Sequence, residues 1–282
     1  MILNIIIGAL IFLFGVCIGS FLNCVIYRTE LQEDMPENSP ERKKVSFLRG
    51  NSFCPHCKHQ LSWKDLFPVF SFLFLKGKCR YCKAKISIQY PLVELATALI
   101  LLLIFNFQFS IYNQFSISQF LNLAFLFYIA SALIVIFVYD LKHYIIPDKV
   151  LIPAIIITFI YNILAIVLKY QNISFINYLL AVAIGAGLFL AIFLISKGKA
   201  MGFGDVKLAI LMGLLLGLPN VLVALFLAFF FGAIIGLILM VFEGKNLKSE
   251  IPFGPFLITG TFIAMLWGNQ IVNWYLNRFL VF

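Results

Sequence analysis

Two aspartates carry the chemistry that this sequence advertises most clearly. Asp140, in Tyr139-Asp140-Leu141-Lys142, and Asp205, in Gly202-Phe203-Gly204-Asp205, each stand where a long apolar run meets a polar break. Ionisable side chains in such places are expensive to keep, so function is their default reading. Two carboxyls within hydrogen-bonding range cannot both ionise cheaply; they share one proton, and such a pair can activate water for amide hydrolysis. Gly202 and Gly204 suit this picture because glycine tolerates positive φ and lets another backbone approach closely. The plain alternative for Asp205 is a helix N-cap. Asp148, just after Pro147, fits the cap reading better and is the reserve candidate. Glu94 follows Pro91 near the start of a helix, where it would either answer the helix dipole or bind a substrate amine. For Lys142, His143 and Lys207 the plain reading is contact with lipid headgroups, and one of them would otherwise tune an aspartate.

A second constellation is Cys54-Pro-His-Cys57 and Cys79-Arg-Tyr-Cys82, two C-x2-C pairs with 21 residues between them. A short turn inside each pair aims two thiolates at one centre, and two such knuckles supply the four sulfurs of a closed tetrahedral zinc site. A closed site has no open position for water, so the expected role is structural. Four thiols already saturate it, leaving His56 and His59 as substitutes only. Cys17 and Cys24 read as small apolar packing residues in the first apolar run.

The elements that position these groups follow from composition. The chain is 62% hydrophobic and 12% charged, with a mean hydropathy of +1.02, far from the one-quarter charged content of soluble domains. Apolar runs near 20 residues recur between short polar breaks. They predict an all-α polytopic membrane protein of about eight transmembrane helices, at about 2–27, 91–109, 119–139, 150–169, 175–195, 206–217, 220–242 and 252–276. The sixth is short. Of the 21 Lys and Arg residues, all but Lys169 and Arg278 fall in the odd-numbered loops, so the positive-inside rule puts both termini outside and the odd loops in the cytoplasm. Both aspartates then belong to the cytoplasmic face. The same charge pattern opposes nucleic acid as a partner, since the net charge of +9 is spent on membrane sidedness. No basic residue precedes the first apolar run, which reads as an anchor and not as a cleaved signal peptide; the residues before Cys17 do not read as a lipoprotein cleavage site.

Three domains are expected: a first transmembrane helix (1–27), a cytoplasmic loop domain with the four-cysteine site (28–90), and a seven-helix membrane bundle carrying the aspartate pair (91–282). Within the loop, Glu30 to Lys44 reads as a flexible insertion. Gly15 with Gly19, Gly213 with Gly217 and Gly232 with Gly236 have the four-residue spacing of close helix packing.

Taken together, these motifs resemble the type IV prepilin peptidases, the bifunctional leader peptidase and N-methyltransferase family. The resemblance rests on Gly19-Ser20-Phe21-Leu22-Asn23 with Arg28, the cysteine knuckles with Tyr90-Pro91-Leu92-Val93-Glu94-Leu95, Asp140 with Ile146-Pro147-Asp148, Gly202 to Lys207, and Pro252-Phe253-Gly254-Pro255-Phe256-Leu257. It implies catalytic roles for Asp140 and Asp205, and cleavage of a short basic leader after a glycine in prepilin or pseudopilin substrates at the bacterial inner membrane. It also implies methylation of the new amine with S-adenosylmethionine. The chain departs from the family pattern at Thr29-Glu30 and Leu66. A presenilin-like intramembrane peptidase, a carboxylate-using ion or proton transporter and a non-enzymatic scaffold are the competing readings; the cysteine loop opposes the first, and the lack of an internal repeat opposes the second.

Overall fold

The computed structural model describes residues 2–36, 52–111, 116–168, 174–199, 201–243 and 251–279. Among them the regular structure is helical: α1 (Ile2–Glu33), a 3₁₀ turn (Trp63–Asp65), α2 (Phe70–Phe74), α3 (Gln89–Ile111), α4 (Ile117–His143), α5 (Asp148–Val167), α6 (Phe175–Ser196), α7 (Phe203–Leu216), α8 (Asn220–Glu243) and α9 (Gly254–Phe279). Seven of these are long and apolar enough to cross a membrane, α7 being the one long element left out. The protein is a multi-pass membrane protein. Two compact units divide it, Met1–Val135 and Ile136–Phe282, with the division inside α4.

In the first unit α1 and α3 pack antiparallel, and the pairing can be followed residue by residue. A Cβ on Gly15 would lie 2.6 Å from the Ala98 Cα, and one on Gly19 would lie 2.5 Å from the Glu94 Cα. One turn further along α1, Asn23 Nδ2 donates to the Tyr90 carbonyl at 3.0 Å. The glycine spacing is therefore what allows the two backbones to touch. Helix α1 also runs past its expected end at Tyr27. Residues 28–33 contain good helix formers and no breaker before Pro36, so the start of the supposed flexible insertion, Glu30 to Glu33, is helical; residues 37–44 of that insertion lie outside the described residues.

In the second unit α7 is only 14 residues long, about 21 Å at 1.5 Å per residue, short of a hydrocarbon core of about 30 Å. Its neighbours show how it serves. Gly213 meets the backbone of Val182 and Ala181 on α6. Asn162 of α5 donates to the Leu214 carbonyl at 2.7 Å, and Asn177 at the start of α6 bonds both the amide and the carbonyl of Leu218. Thus α7 with its extended tail reaches the level where α6 begins, although the helix itself ends at Gly217, whose φ of +62° suits glycine. Nine of its residues are buried, so protein and not lipid surrounds most of its surface. Gly236, by contrast, has open space where a Cβ would stand, so the expected Gly232 and Gly236 packing pair is half right: only Gly232 is covered, by Phe253 and Phe256.

Candidate active site and metal centre

Asp205 is the third residue of α7, after Gly202 as N-cap, Phe203 and Gly204. It is not the cap itself. Its carboxylate accepts the Gly202 amide, the return half of a capping box. Both glycines have negative φ; Gly202 stands at φ −74°, and Gly204 serves instead by close approach, since a Cβ there would meet the Ile146 side chain at 3.1 Å. That contact seats the loop between α4 and α5 on the start of α7.

Asp140 lies in the last turn of α4, one turn before the helix ends at His143. Its carboxylate accepts the Gly254 backbone amide at the start of α9. A side chain at Gly254 would collide with it, since an added Cβ would lie 2.5 Å from Asp140 Oδ2. The Pro252-Phe253-Gly254-Pro255 motif places a helix N-terminus against an anion, where free amides and the helix dipole both favour negative charge. No role for Gly254 follows from sequence alone, although proline at a helix start with a glycine beside it is a readable signal.

Both carboxyl-bearing residues are buried, Asp140 at 4% and Asp205 at 9% exposure, and they are close enough to interact electrostatically. The other basic and acidic neighbours are engaged elsewhere. Asp148 is the first residue of α5, and Lys207 grips both its oxygens at 2.7 Å. Lys207 also lies 5.4 Å from the Phe203 ring centroid, so it is tied into the protein and not left to lipid headgroups. His143 stacks on Tyr139 at 4.5 Å. Beside the Asp140 turn, an apolar pocket of about 440 Å³ is lined by Phe137, Leu141, Tyr144, Phe231, Pro255 and Phe256, among others.

Glu94 belongs to the first unit. It is the sixth residue of α3, beyond the reach of the dipole at the helix start. Its carboxylate accepts the Val69 amide at 2.6 Å and the Ser20 hydroxyl.

The cysteine knuckles are two copies of one turn. Lys58 donates to the Cys54 carbonyl and Cys54 to the His59 carbonyl; Lys83 donates to the Cys79 carbonyl and Cys79 to the Ala84 carbonyl. Lys58 and Lys83 both have positive φ. The four Sγ atoms lie within 4.8 Å of one another, and Cys54 and Cys82 are 3.9 Å apart. That is far beyond a disulfide at about 2.05 Å but near the roughly 3.8 Å between sulfurs of a tetrahedron with metal–sulfur bonds of about 2.3 Å. The donor set fits a metal ion. Of the histidines, His59 stacks on Tyr81 at 3.7 Å and is absent from the ligand cluster. Cys17 lies exposed on α1 and not in a packed interior.

Asp65 is a residue that the sequence reading left without a role. It accepts Arg80 Nε at 2.6 Å, Tyr81 Oη at 3.1 Å, and the Ser62 amide and hydroxyl at 3.1 and 2.8 Å. Arg80 and Tyr81 are the two residues inside the second knuckle, so Asp65 ties that knuckle to the 3₁₀ turn between the pair. Desolvation works to raise its pKa, but the hydrogen bonds from Arg80, Ser62 and Tyr81 outweigh it and hold the group near 2 instead of its ordinary 3.8.

A multi-pass membrane chain with two buried, interacting carboxyls at helix N-termini has the architecture of a membrane-embedded aspartic peptidase. Comparison with known families narrows this class. Residues 13–108 match the Bacterial Peptidase A24 N-terminal domain, and residues 127–237 match the Type IV leader peptidase family. The chain is 34% identical to the prepilin leader peptidase/N-methyltransferase of Legionella pneumophila, covering 95% of this chain and 94% of that one. It is 30% identical to the protein of that name from Pseudomonas aeruginosa, over 94% and 92% of the two chains, and 30% identical to that from Bacillus subtilis, over 96% and 99%. No solved structure gives a significant match. The chain belongs to the type IV leader peptidase family.

Asp65→Asn is expected to loosen the second knuckle, so that its thiols react faster with a thiol reagent at neutral pH. Because the folded pKa is depressed, the stabilisation is complete above about 3.8 and is lost as pH falls toward about 2. The difference between wild type and variant should therefore vanish in strong acid. Equal thiol reactivity of the two proteins at neutral pH would contradict the role given to Asp65.

Proposed function

We propose that the protein is an endopeptidase that removes the short basic leader of type IV prepilin or pseudopilin proteins after a glycine, at the cytoplasmic face of the membrane, and then N-methylates the new terminus with S-adenosylmethionine as donor. Asp140 and Asp205 are the reacting pair. The observation that carries this is the burial of two interacting carboxyls, each accepting an amide at a helix start.

One carboxylate takes a proton from water as the oxygen attacks the scissile carbonyl, while the protonated partner gives its proton to the carbonyl oxygen. Collapse of the tetrahedral diol returns that hydroxyl proton to a carboxylate, and the other carboxyl protonates the leaving nitrogen, so the pair ends with the single proton it began with. The apolar pocket beside Asp140 supports a substrate whose hydrophobic helix stays in the membrane during the reaction. Positive charge concentrated in the odd loops supports termini outside and a cytoplasmic site. Gly202, Gly204 and the Lys207–Asp148 pair are positioning residues, because they hold the start of α7 against its neighbours.

The metal reading is a structural Zn²⁺ on Cys54, Cys57, Cys79 and Cys82. The sulfur spacing supports it, and a small segment with few buried side chains gains its folding energy from such an ion. Metal analysis of the purified protein should return one zinc per chain; a protein that is folded and free of zinc would sink this assignment.

Cleavage of a prepilin-like substrate in membranes separates the carboxylates. Asp140→Asn and Asp205→Asn should each lower the rate by at least about 10²-fold to 10⁴-fold, while Asp148→Asn should keep cleavage within an order of magnitude. Equal cleavage by all three variants would refute the assignment and favour a transporter or scaffold.

A further inference from the structure

The cysteine segment of the first unit carries an apolar surface that its own fold does not cover. Between residues 63 and 74 six large apolar side chains are exposed: Trp63, Leu66, Phe67, Phe70, Leu73 and Phe74, the last at 82%. Four of the rings share one face. Trp63, Phe67, Phe70 and Phe74 line an open groove of about 350 Å³ together with Lys64 and Arg80, and the Phe67 and Phe70 rings stand 5.8 Å apart. Single exposed apolar residues are ordinary on a protein surface, but a contiguous patch marks a protein or membrane partner. Neither the four-sulfur cluster nor the aspartate pair draws on these rings.

The position of the patch favours lipid. The Val69 amide, immediately before α2, donates to the Glu94 carboxylate at 2.6 Å, and Glu94 also accepts the Ser20 hydroxyl of α1. Glu94 is the sixth residue of α3, whose apolar span is Gln89–Gln108. Five residues of helix advance about 7.5 Å, so this link ties the start of α2 to a level inside the end of a membrane-spanning segment. The headgroup layer is only about 5–8 Å thick on each side of the hydrocarbon. The start of α2 therefore lies at the boundary between headgroups and acyl chains, in the same bilayer that α1 and α3 cross. Tryptophan is enriched at that boundary.

Charge separates the remaining occupants. Residues 52–93 contain seven Lys and Arg residues and one acid, Asp65, which Arg80 already engages. Lys64, Lys76 and Lys78 flank the rings in sequence and are exposed, and Lys64 Nζ lies 5.6 Å from the Trp63 ring centroid. Such a surface repels a basic leader peptide and attracts the phosphates of anionic lipids. Rings that insert, edged by lysines that meet phosphate, are the pattern of an element lying in the membrane interface.

We propose that residues 63–78 form a monotopic anchor lying in the face of the bilayer: Trp63, Phe67, Phe70 and Phe74 enter the boundary between headgroups and acyl chains, and Lys64, Lys76 and Lys78 bind the phosphates of anionic lipids. The cysteine segment is thereby held against the membrane and does not extend freely from it. A segment with few buried side chains gains a second source of order, because the bilayer covers rings that its own fold leaves bare. The anchor requires only the spanning helices and nothing of the reaction proposed above.

Trp63 is itself the probe. The chain has three tryptophans, and Trp267→Phe with Trp274→Phe on α9 leaves Trp63 as the single emitter. The full-length variant is reconstituted into vesicles of phosphatidylcholine and phosphatidylglycerol, and its emission is quenched either by lipids brominated near the top of the acyl chain or by iodide in the water. Brominated lipid is expected to remove at least about half of the emission and iodide less than about a tenth. Replacing Lys64, Lys76 and Lys78 together by Gln is expected to weaken quenching by brominated lipid at least about twofold in the anionic vesicles. Quenching by iodide and not by brominated lipid would overturn the proposal. Protection from both quenchers would overturn it too, since a second copy or a partner protein would then cover the rings. Equal quenching in vesicles with and without phosphatidylglycerol would overturn the role given to the lysines. If the double variant does not reconstitute, the difference between wild-type and Trp63→Phe emission reads the same depth in an otherwise native chain.

Discussion

Repulsion between two buried carboxyls is the constraint around which the second unit is arranged. Burying an ion costs several kcal/mol even after the protein relaxes, whereas a helix N-terminus returns at most about 2 kcal/mol to a charge beside it. Asp205 receives such help at the start of α7 and Asp140 at the start of α9. Two helix starts suit one negative charge in this place better than two, which supports the proposal that the pair shares a single proton. Much else follows from that arrangement. Gly254 must lack a side chain to leave room for the Asp140 carboxylate, and Gly204 must lack one so that Ile146 can cover the start of α7. The bidentate contact with Asp148 engages Lys207, two residues beyond Asp205 on α7.

The first unit solves a different problem. Its cysteine segment contains little regular structure and few buried side chains beyond Cys54 and Cys79, so hydrophobic burial alone gives it little stability. Four converging sulfurs and the Asp65 hydrogen bonds supply what the core lacks. Burial works to raise the Cys54 thiol, but amide hydrogen bonds from Cys57 and His56 bring it down to about 7. Cys82 receives a stabilising amide bond at Ala84, yet desolvation and the neighbouring thiols carry it to about 11. Within the cluster Cys54 is thus favoured as the thiolate and Cys82 as the thiol.

Much of this was legible in the sequence because it depends on short-range rules. Hydropathy marked the crossings, the C-x2-C spacing marked the metal cluster, and the polar breaks marked Asp140 and Asp205. Several features escaped for physical reasons. Helix propensity beyond Tyr27 carried α1 through residues that composition read as loop. The length of α7 depends on burial by α5 and α6, which no local window can show. Asp65 and Gly254 act through partners distant in sequence, Arg80 and Asp140, and each is of a type that is ordinary in a turn.

The shared proton is the centre of the account, and the pH dependence of prepilin cleavage measures it most directly. Rates of leader removal in membranes from about pH 4 to about pH 9 should fall on both sides of an optimum, because one carboxyl must be ionised and the other protonated. A rate that stays flat across that range, with substrate and membranes intact throughout, would contradict the paired carboxyls as the reacting groups.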